Sequence, residues 1–152
     1  MSIEDDIAFL ERVPTLGLLG RDALRILAIG AESRYLHDGN VLFTQGEPAD
    51  AGYVVQEGLL SLAPVRGNEL TVGPGTLLGE LALLTETQRP VTATALEPST
   101  VIRIPRTLFL KMLEGYPEAA LRLRDSFIAR AEHSESDMHR VRRVLEENQT
   151  ET

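Results

Sequence analysis

Gly79-Glu80-Leu81-Ala82-Leu83-Leu84 and, after a short gap, Arg89-Pro90-Val91-Thr92-Ala93-Thr94 are the two runs on which the fold of this chain turns. The first sits inside Leu77 to Leu84, a stretch too apolar for a surface loop and without the β-branched residues of a strand. That composition predicts one short helix over Glu80 to Leu84, packed on its surroundings. A helix starting near Glu80 turns unpaired backbone N–H groups outward, and its dipole adds partial positive charge there, so the two together attract an anion. Gly79, with no Cβ, lets a ligand approach the backbone closely. Glu80 puts a carboxylate beside that position, which suits an anion only if the carboxylate accepts a hydrogen bond from the same ligand. Arg89 returns from the following loop and can pair with a phosphate through two N–H groups. A ligand with a phosphate and a sugar hydroxyl a short distance apart meets these demands. The alternative is a surface ion pair between Glu80 and Arg89, with Gly79 merely capping a turn.

Outward from this stretch the texture is that of short strands. From Ser33 on, short apolar runs alternate with turn residues about every 8–12 positions. Asp38-Gly39 separates Arg34–His37 from Asn40–Phe43 and can take positive φ at both centres, which predicts a tight hairpin. Gln45-Gly46 and Pro48 mark the next turn, Tyr53-Val54-Val55 reads as a strand, and Gly58 separates it from Leu59–Leu62. Arg66-Gly67-Asn68 turns the chain into Glu69–Val72, which Gly73-Pro74-Gly75 closes. Val91–Ala95 and Thr100–Ile104 follow, divided by Glu97-Pro98. Many short strands with Gly/Pro turns indicate a sandwich or a barrel.

Helical patterns flank the strands. Ile3, Ile7 and Leu10 recur at helical spacing until Pro14, and Arg21 to Ala31 carries Leu24, Leu27 and Ala31 on one face. After Pro105, Thr107–Glu114 reads as a helix, Gly115-Tyr116-Pro117 breaks it, and a long helix is predicted from Glu118 to about Glu147. Along it Phe127, Ala131, Ser134, Met138, Val141 and Leu145 follow spacings of four and three, an a/d seam that predicts a two-helix homodimer contact. A helix lying on its own barrel is the other reading. The whole, residues 1–152, is expected to be one domain in three parts: 1–32 helical, 33–105 β, and 106–150 helical.

Composition narrows the function. At 152 residues the chain can bury a core without staples, and 43% hydrophobic with 25% charged residues argues against disorder. With no cysteine, disulfides, thiolate metal sites and cysteine nucleophiles are excluded. The net charge of −8 makes the chain a poor partner for nucleic acid, whose binding rests on phosphate neutralisation. Arg122, Arg124, Arg130, Arg140, Arg142 and Arg143 are interleaved with Asp125, Glu132, Glu135 and Asp137, the pattern of a mixed-charge helix face. The acidic start, Met1 to Asp6, lacks the features of a signal peptide, and no apolar run approaches the roughly 18 residues of a membrane span, so a cytoplasmic location without membrane contact is expected. His37 stands alone among strands, and His133 and His139 fall on different faces of a helix, so neither a metal centre nor a catalytic motif is expected.

Gly79-Glu80-Leu81-Ala82, followed by Arg89 and a strand of small residues, resembles the phosphate-binding cassette of cyclic-nucleotide-binding domains such as those of catabolite activator protein and the regulatory subunit of cAMP-dependent kinase. Gly39 to Gly46, Ala49-Asp50, Tyr53-Val54-Val55 and Gly58 resemble the family's strand and turn pattern, and the likeness runs over about residues 5 to 145. It implies a mainly β jelly-roll barrel (a double-stranded β-helix) with N-terminal helices, a short cassette helix and a long C-terminal helix. It further implies that Glu80 accepts the ribose 2′-hydroxyl, that Arg89 pairs with the cyclic phosphate, and that backbone N–H groups at Gly79, Glu80, Leu81 and Ala82 flank the sugar-phosphate. Leu78 and Val72 would line the wall, and Ser134 on the long helix would reach the base of the nucleotide. Pro90 departs from the family pattern: the position commonly gives a backbone N–H, and often a hydroxyl, to the phosphate, and proline has neither. The loss is worth about tenfold in affinity, which Val91 and Thr92 would have to make good. A missing hydroxyl also favours cAMP over cGMP.

Function is therefore expected to be that of a stand-alone cyclic-nucleotide sensor, cAMP first, acting on an effector protein and catalysing nothing. Alternatives are a transcriptional regulator of the activator type, for whose recognition helix the chain leaves no room before Thr152, and a scaffold of the same fold that has lost its ligand.

Overall fold

The computed structural model describes residues 2–129. Helix α1 (Ile3–Glu11) starts at Ser2, whose hydroxyl accepts the Asp5 N–H at 3.2 Å while the Asp5 carboxylate accepts the Ser2 N–H. Ile7 and Leu10 form its buried stripe. A single 3₁₀ turn, Leu16–Leu18, then leads into α2 (Arg21–Gly30), whose Ala23, Leu24 and Leu27 are buried. At the other end α3 (Arg106–Gly115) follows directly on a strand, and a fourth helix, α4 (117–129 of the described residues), begins with Pro117, whose fixed φ suits a first helical turn.

Between them lie ten strands: β1 (Glu32–Leu36), β2 (Val41–Phe43), β3 (Pro48–Ala49), β4 (Ala51–Glu57), β5 (Leu60–Ala63), β6 (Leu70–Val72), β7 (Leu77–Leu78), β8 (Thr87–Gln88), β9 (Thr92–Ala95) and β10 (Ser99–Pro105). They form two four-stranded antiparallel sheets, ordered β1-β10-β4-β7 and β2-β9-β5-β6, and a two-stranded ribbon β3-β8. The fold is the mainly β jelly roll with flanking helices that the sequence implies.

β4 and β10 carry both hydrophobic cores. Val54, Ile102 and Ile104 point out of the first sheet into a cluster with Ile7, Leu10, Leu16, Leu24, Leu27, Phe109 and Met112 of the helices. Their strand neighbours Tyr53, Val55 and Val101 point the other way, between the sheets, to meet Phe43, Leu60, Leu78 and Ala93. A strand covered on both faces loses the polar alternation of a half-exposed one, which is why Ala51–Val55 is buried without interruption.

Two local expectations are corrected. Asp38-Gly39 makes a tight turn, with Gly39 at φ 87° and the Asn40 N–H on the His37 carbonyl, but it is not a hairpin. β1 pairs with β10 and β2 with β9, so the turn is a corner between sheets, held by a two-way bond of Gly39 and Asn40 with Ala95. Tertiary pairing, absent from local sequence, chose the partners. The helix expected over Glu80 to Leu84 is one 3₁₀ turn, Leu81–Leu83, and Leu77–Leu78 is a strand paired with Tyr53 and Val54. Gly79 (φ 77°) ends that strand, and the chain must return within a few residues to pair Thr87–Gln88 with Pro48–Ala49, leaving room for a single turn.

Candidate functional site

The β3-β8 ribbon sets the position of Arg89. Its backbone N–H donates to the Glu47 carbonyl at 2.8 Å, and its carbonyl accepts the Gly46 N–H at 2.9 Å. So anchored, the side chain turns inward. Arg89 is only 4% exposed and is the one buried charged residue among those described. The surface ion pair with Glu80 is thereby ruled out. The guanidinium lies 4.3 Å from the Phe43 ring centroid and 5.4 Å from that of Tyr53, whose rings are themselves 6.0 Å apart. Each such cation–π contact is worth about 0.5–2 kcal/mol.

Of its two terminal nitrogens, Nη2 donates to the Ala51 carbonyl at 2.8 Å. Nη1 is buried and has no hydrogen-bond partner among the described residues. A buried donor left unmade costs about 1–3 kcal/mol, more when charged. Burial accordingly pushes the Arg89 guanidinium below the usual arginine range, against the weaker pull of Tyr53, Asp50 and Glu47. Nη1 lies against Gly79: a Cβ there would meet it at 2.5 Å. Gly79 therefore serves twice, through its positive φ and through the space it leaves for the guanidinium.

The remaining expected residues fall around this centre. Leu78 is buried in the cluster between the sheets, and Val72 and Val91 pack against it. Thr92 opens β9, and its hydroxyl accepts the Gln45 N–H at 2.9 Å while keeping its own proton to give. Pro90 is exposed beside Arg89. Within the turn, Ala82 is fully buried and Leu81 is 54% exposed. The N–H groups of Ala82 and Leu83 are engaged by the carbonyls of Gly79 and Glu80, so the expected cradle of backbone donors is reduced at Ala82. Glu80 is half-buried, and its carboxylate accepts a hydrogen bond from the Thr15 hydroxyl. Leu83 enters the helix-side core, and Arg106 at the start of α3 donates to the carbonyls of Ala49 (3.1 Å) and Thr85 (2.8 Å), tying α3 to the same turn. Ser134 and the seam from Ala131 to Leu145 lie outside the described residues, as do His133 and His139.

Phe43, Tyr53, the Ala51 carbonyl and Thr15 were not foreseen. The two aromatics stand in strands that read as ordinary core, and nothing local to Thr15 announces a partner 65 residues away. Among the described residues no group of His, Asp or Glu is placed to hold a metal ion, and no helix is long and apolar enough to cross a membrane.

Arranged in this way, the chain offers a buried cation with a donor in reserve, a carboxylate on the adjoining turn, and apolar walls. Known proteins give the arrangement its context. The chain is 30% identical to the N-terminal domain of a transcriptional regulator from Streptomyces coelicolor, at a TM-score of 0.76 over 86% of this chain and 94% of that one. It is 38% identical to a cyclic nucleotide-binding-like protein from Brucella abortus, at a TM-score of 0.64 over 72% of this chain and 98% of that one. Lysophospholipase nte1 of Aspergillus fumigatus is 37% identical over 84 residues, 52% of this chain but 6% of that protein. The chain thus spans a small part of the length of the curated relatives it matches. Residues 33–116, more than half of the chain and the part that holds Gly79, Glu80 and Arg89, match the family model of the cyclic nucleotide-binding domain, and the chain belongs to that family.

Proposed function

We propose that this chain binds cAMP between its two sheets and acts as a stand-alone cytoplasmic sensor that catalyses nothing. The observation that carries the reading is Arg89: a buried guanidinium with one nitrogen unpartnered among the described residues, against a glycine that leaves it room. A cyclic phosphate would take that nitrogen and offset the charge that burial now leaves uncompensated. Glu80 would accept the ribose 2′-hydroxyl, with Leu78, Val72 and Val91 along the wall and Thr92 donating in place of the N–H that Pro90 lacks. Pro90 also supplies no hydroxyl, which favours cAMP over cGMP. Because Leu83 and Arg106 join the turn to the helices, a ligand drawing the turn inward would shift α3 and the helix after it. It can do so only by its difference in affinity for the two arrangements. An effector protein, or a homodimer formed through the C-terminal helix, would read the shift.

Pro90 favours one competing reading, a scaffold that keeps the fold without the ligand. Isothermal titration separates the two. Saturable heat at one site, tighter for cAMP than for cGMP, supports the sensor. No heat from either nucleotide up to millimolar concentration refutes it.

A further inference from the structure

Arg103 enters the same space as Arg89. Glu32, Arg103, Tyr53 and Leu78 stand opposite one another across β1, β10, β4 and β7, so their side chains form one row on one face of that sheet. It is the face turned to the second sheet, since Tyr53 and Leu78 belong to the cluster between the two. Tyr53 thus stands between two arginines. Its ring centroid is 5.4 Å from the Arg89 guanidinium, and its hydroxyl oxygen accepts a hydrogen bond from Arg103. The Arg103 side chain is only 15% exposed and ends on the carboxylates of Asp50, at 3.0 Å, and Glu32, at 3.8 Å. Asp50 directly precedes Ala51, whose carbonyl holds Arg89 Nη2. An ion pair with so exposed a partner as Asp50 contributes little to stability. Its two charges nevertheless lie beside a buried cation. Burial does most to depress the Arg89 pKa; Asp50 opposes that effect and Arg103 adds to it.

We infer that Arg103 sets the affinity of the site for an anion: it neutralises Asp50 beside Arg89 and so keeps the field around that guanidinium favourable to a phosphate. The inference rests on the nucleotide reading above. With both side chains charged, the pair sums to zero next to Arg89. Without Arg103, an unmatched carboxylate lowers the potential where a phosphate would lie. Without Asp50, an unmatched guanidinium raises it. Both signs follow from Coulomb's law and need no change of geometry. The charge acts on the phosphate and not on the sugar hydroxyl, so ligands with and without a 2′-hydroxyl respond alike.

The test is isothermal titration of cAMP and 2′-deoxy-cAMP into the wild type, Arg103→Met, Asp50→Asn and the double variant. Arg103→Met is expected to bind cAMP about threefold more weakly and Asp50→Asn about threefold more tightly, the effect of one unit charge acting through partly solvated protein. The double variant returns to the wild-type affinity, because the pair again sums to zero. Both ligands shift by the same factor. The shifts shrink in 1 M salt, where charges are screened within about 3 Å. Should Arg103→Met not fold, Asp50→Asn decides by itself, since losing a merely structural contact does not tighten binding. Unchanged affinity in the single variants, or a loss in both, overturns the inference and leaves the nucleotide reading standing. Absence of binding to the wild type and to Asp50→Asn alike overturns the nucleotide reading and the inference with it.

Discussion

Replacing Arg89 by methionine separates what this residue does for the ligand from what it does for the fold. Methionine has a similar unbranched reach, and its sulfur contacts aromatic rings favourably, so Phe43 and Tyr53 keep a neighbour. The bond of Nη2 to the Ala51 carbonyl is lost, at about 1.5–3 kcal/mol for a charged donor. The two ring contacts lose about 0.5–2 kcal/mol each as cation–π pairs. Against this, a guanidinium 4% exposed, with one nitrogen unpartnered among the described residues, no longer has to be buried, a penalty of several kcal/mol per ion. The depressed guanidinium pKa points the same way. The folded state gives up this proton more readily than the unfolded chain does, so below that pKa, and at neutral pH, the charge works against folding, a cost relieved only as pH rises through the folded value. The ligand-free variant is expected to melt at the same temperature as the wild type or up to about 5 °C higher, at about 2–4 °C per kcal/mol. Its affinity for cAMP falls at least tenfold, from the loss of a charge-assisted pair worth about 1.5–3 kcal/mol. Differential scanning calorimetry with and without cAMP measures both. A ligand-free Tm lowered by more than about 5 °C would refute the reasoning, because Arg89 would then be a structural cation and not a donor held for a phosphate.

Other perturbations bear on the neighbouring residues. Glu80→Ala should weaken cAMP by about tenfold and 2′-deoxy-cAMP far less; equal losses in titration would remove the ribose assignment. Gly79→Ala brings a methyl within 2.5 Å of Arg89 Nη1 at a φ of 77° and should abolish binding, whereas Gly75→Ala, also at positive φ but in open space, should cost about 1 kcal/mol of stability and leave affinity intact. Equal affinities for the two variants would show that Gly79 is not part of the site. Gly58→Ala drives a Cβ to 2.1 Å from Ser99 Oγ at φ 94° and should lower Tm by at least about 5 °C without a direct effect on the ligand, as thermal melting and titration would show; an unchanged Tm would mean that the start of β10 at Ser99 yields easily.

Sequence alone determined the helix–strand–helix order, the short strands with their glycine turns, and the pairing of a Gly-Glu run with a later arginine. Each of these depends on local chemistry: periodicity, the φ freedom of glycine, and the charge a side chain carries. What local chemistry could not decide was which strands became neighbours and which groups met across the fold. The Asp38-Gly39 turn was legible as a turn, but whether it closed a hairpin or joined two sheets depended on Ala95. Leu77–Leu78 lacked strand propensity and became a strand because Tyr53 and Val54 offered it a ladder. Arg89 could be read as an anion ligand, yet its burial between Phe43 and Tyr53 and its spare nitrogen beside Gly79 exist only once the ribbon β3-β8 has closed. Thr15 and Glu80, 65 residues apart in the chain, likewise met only in the folded molecule. A residue's own chemistry fixes what it can bind, and the packing of distant strands fixes what it meets and how much water is left around it.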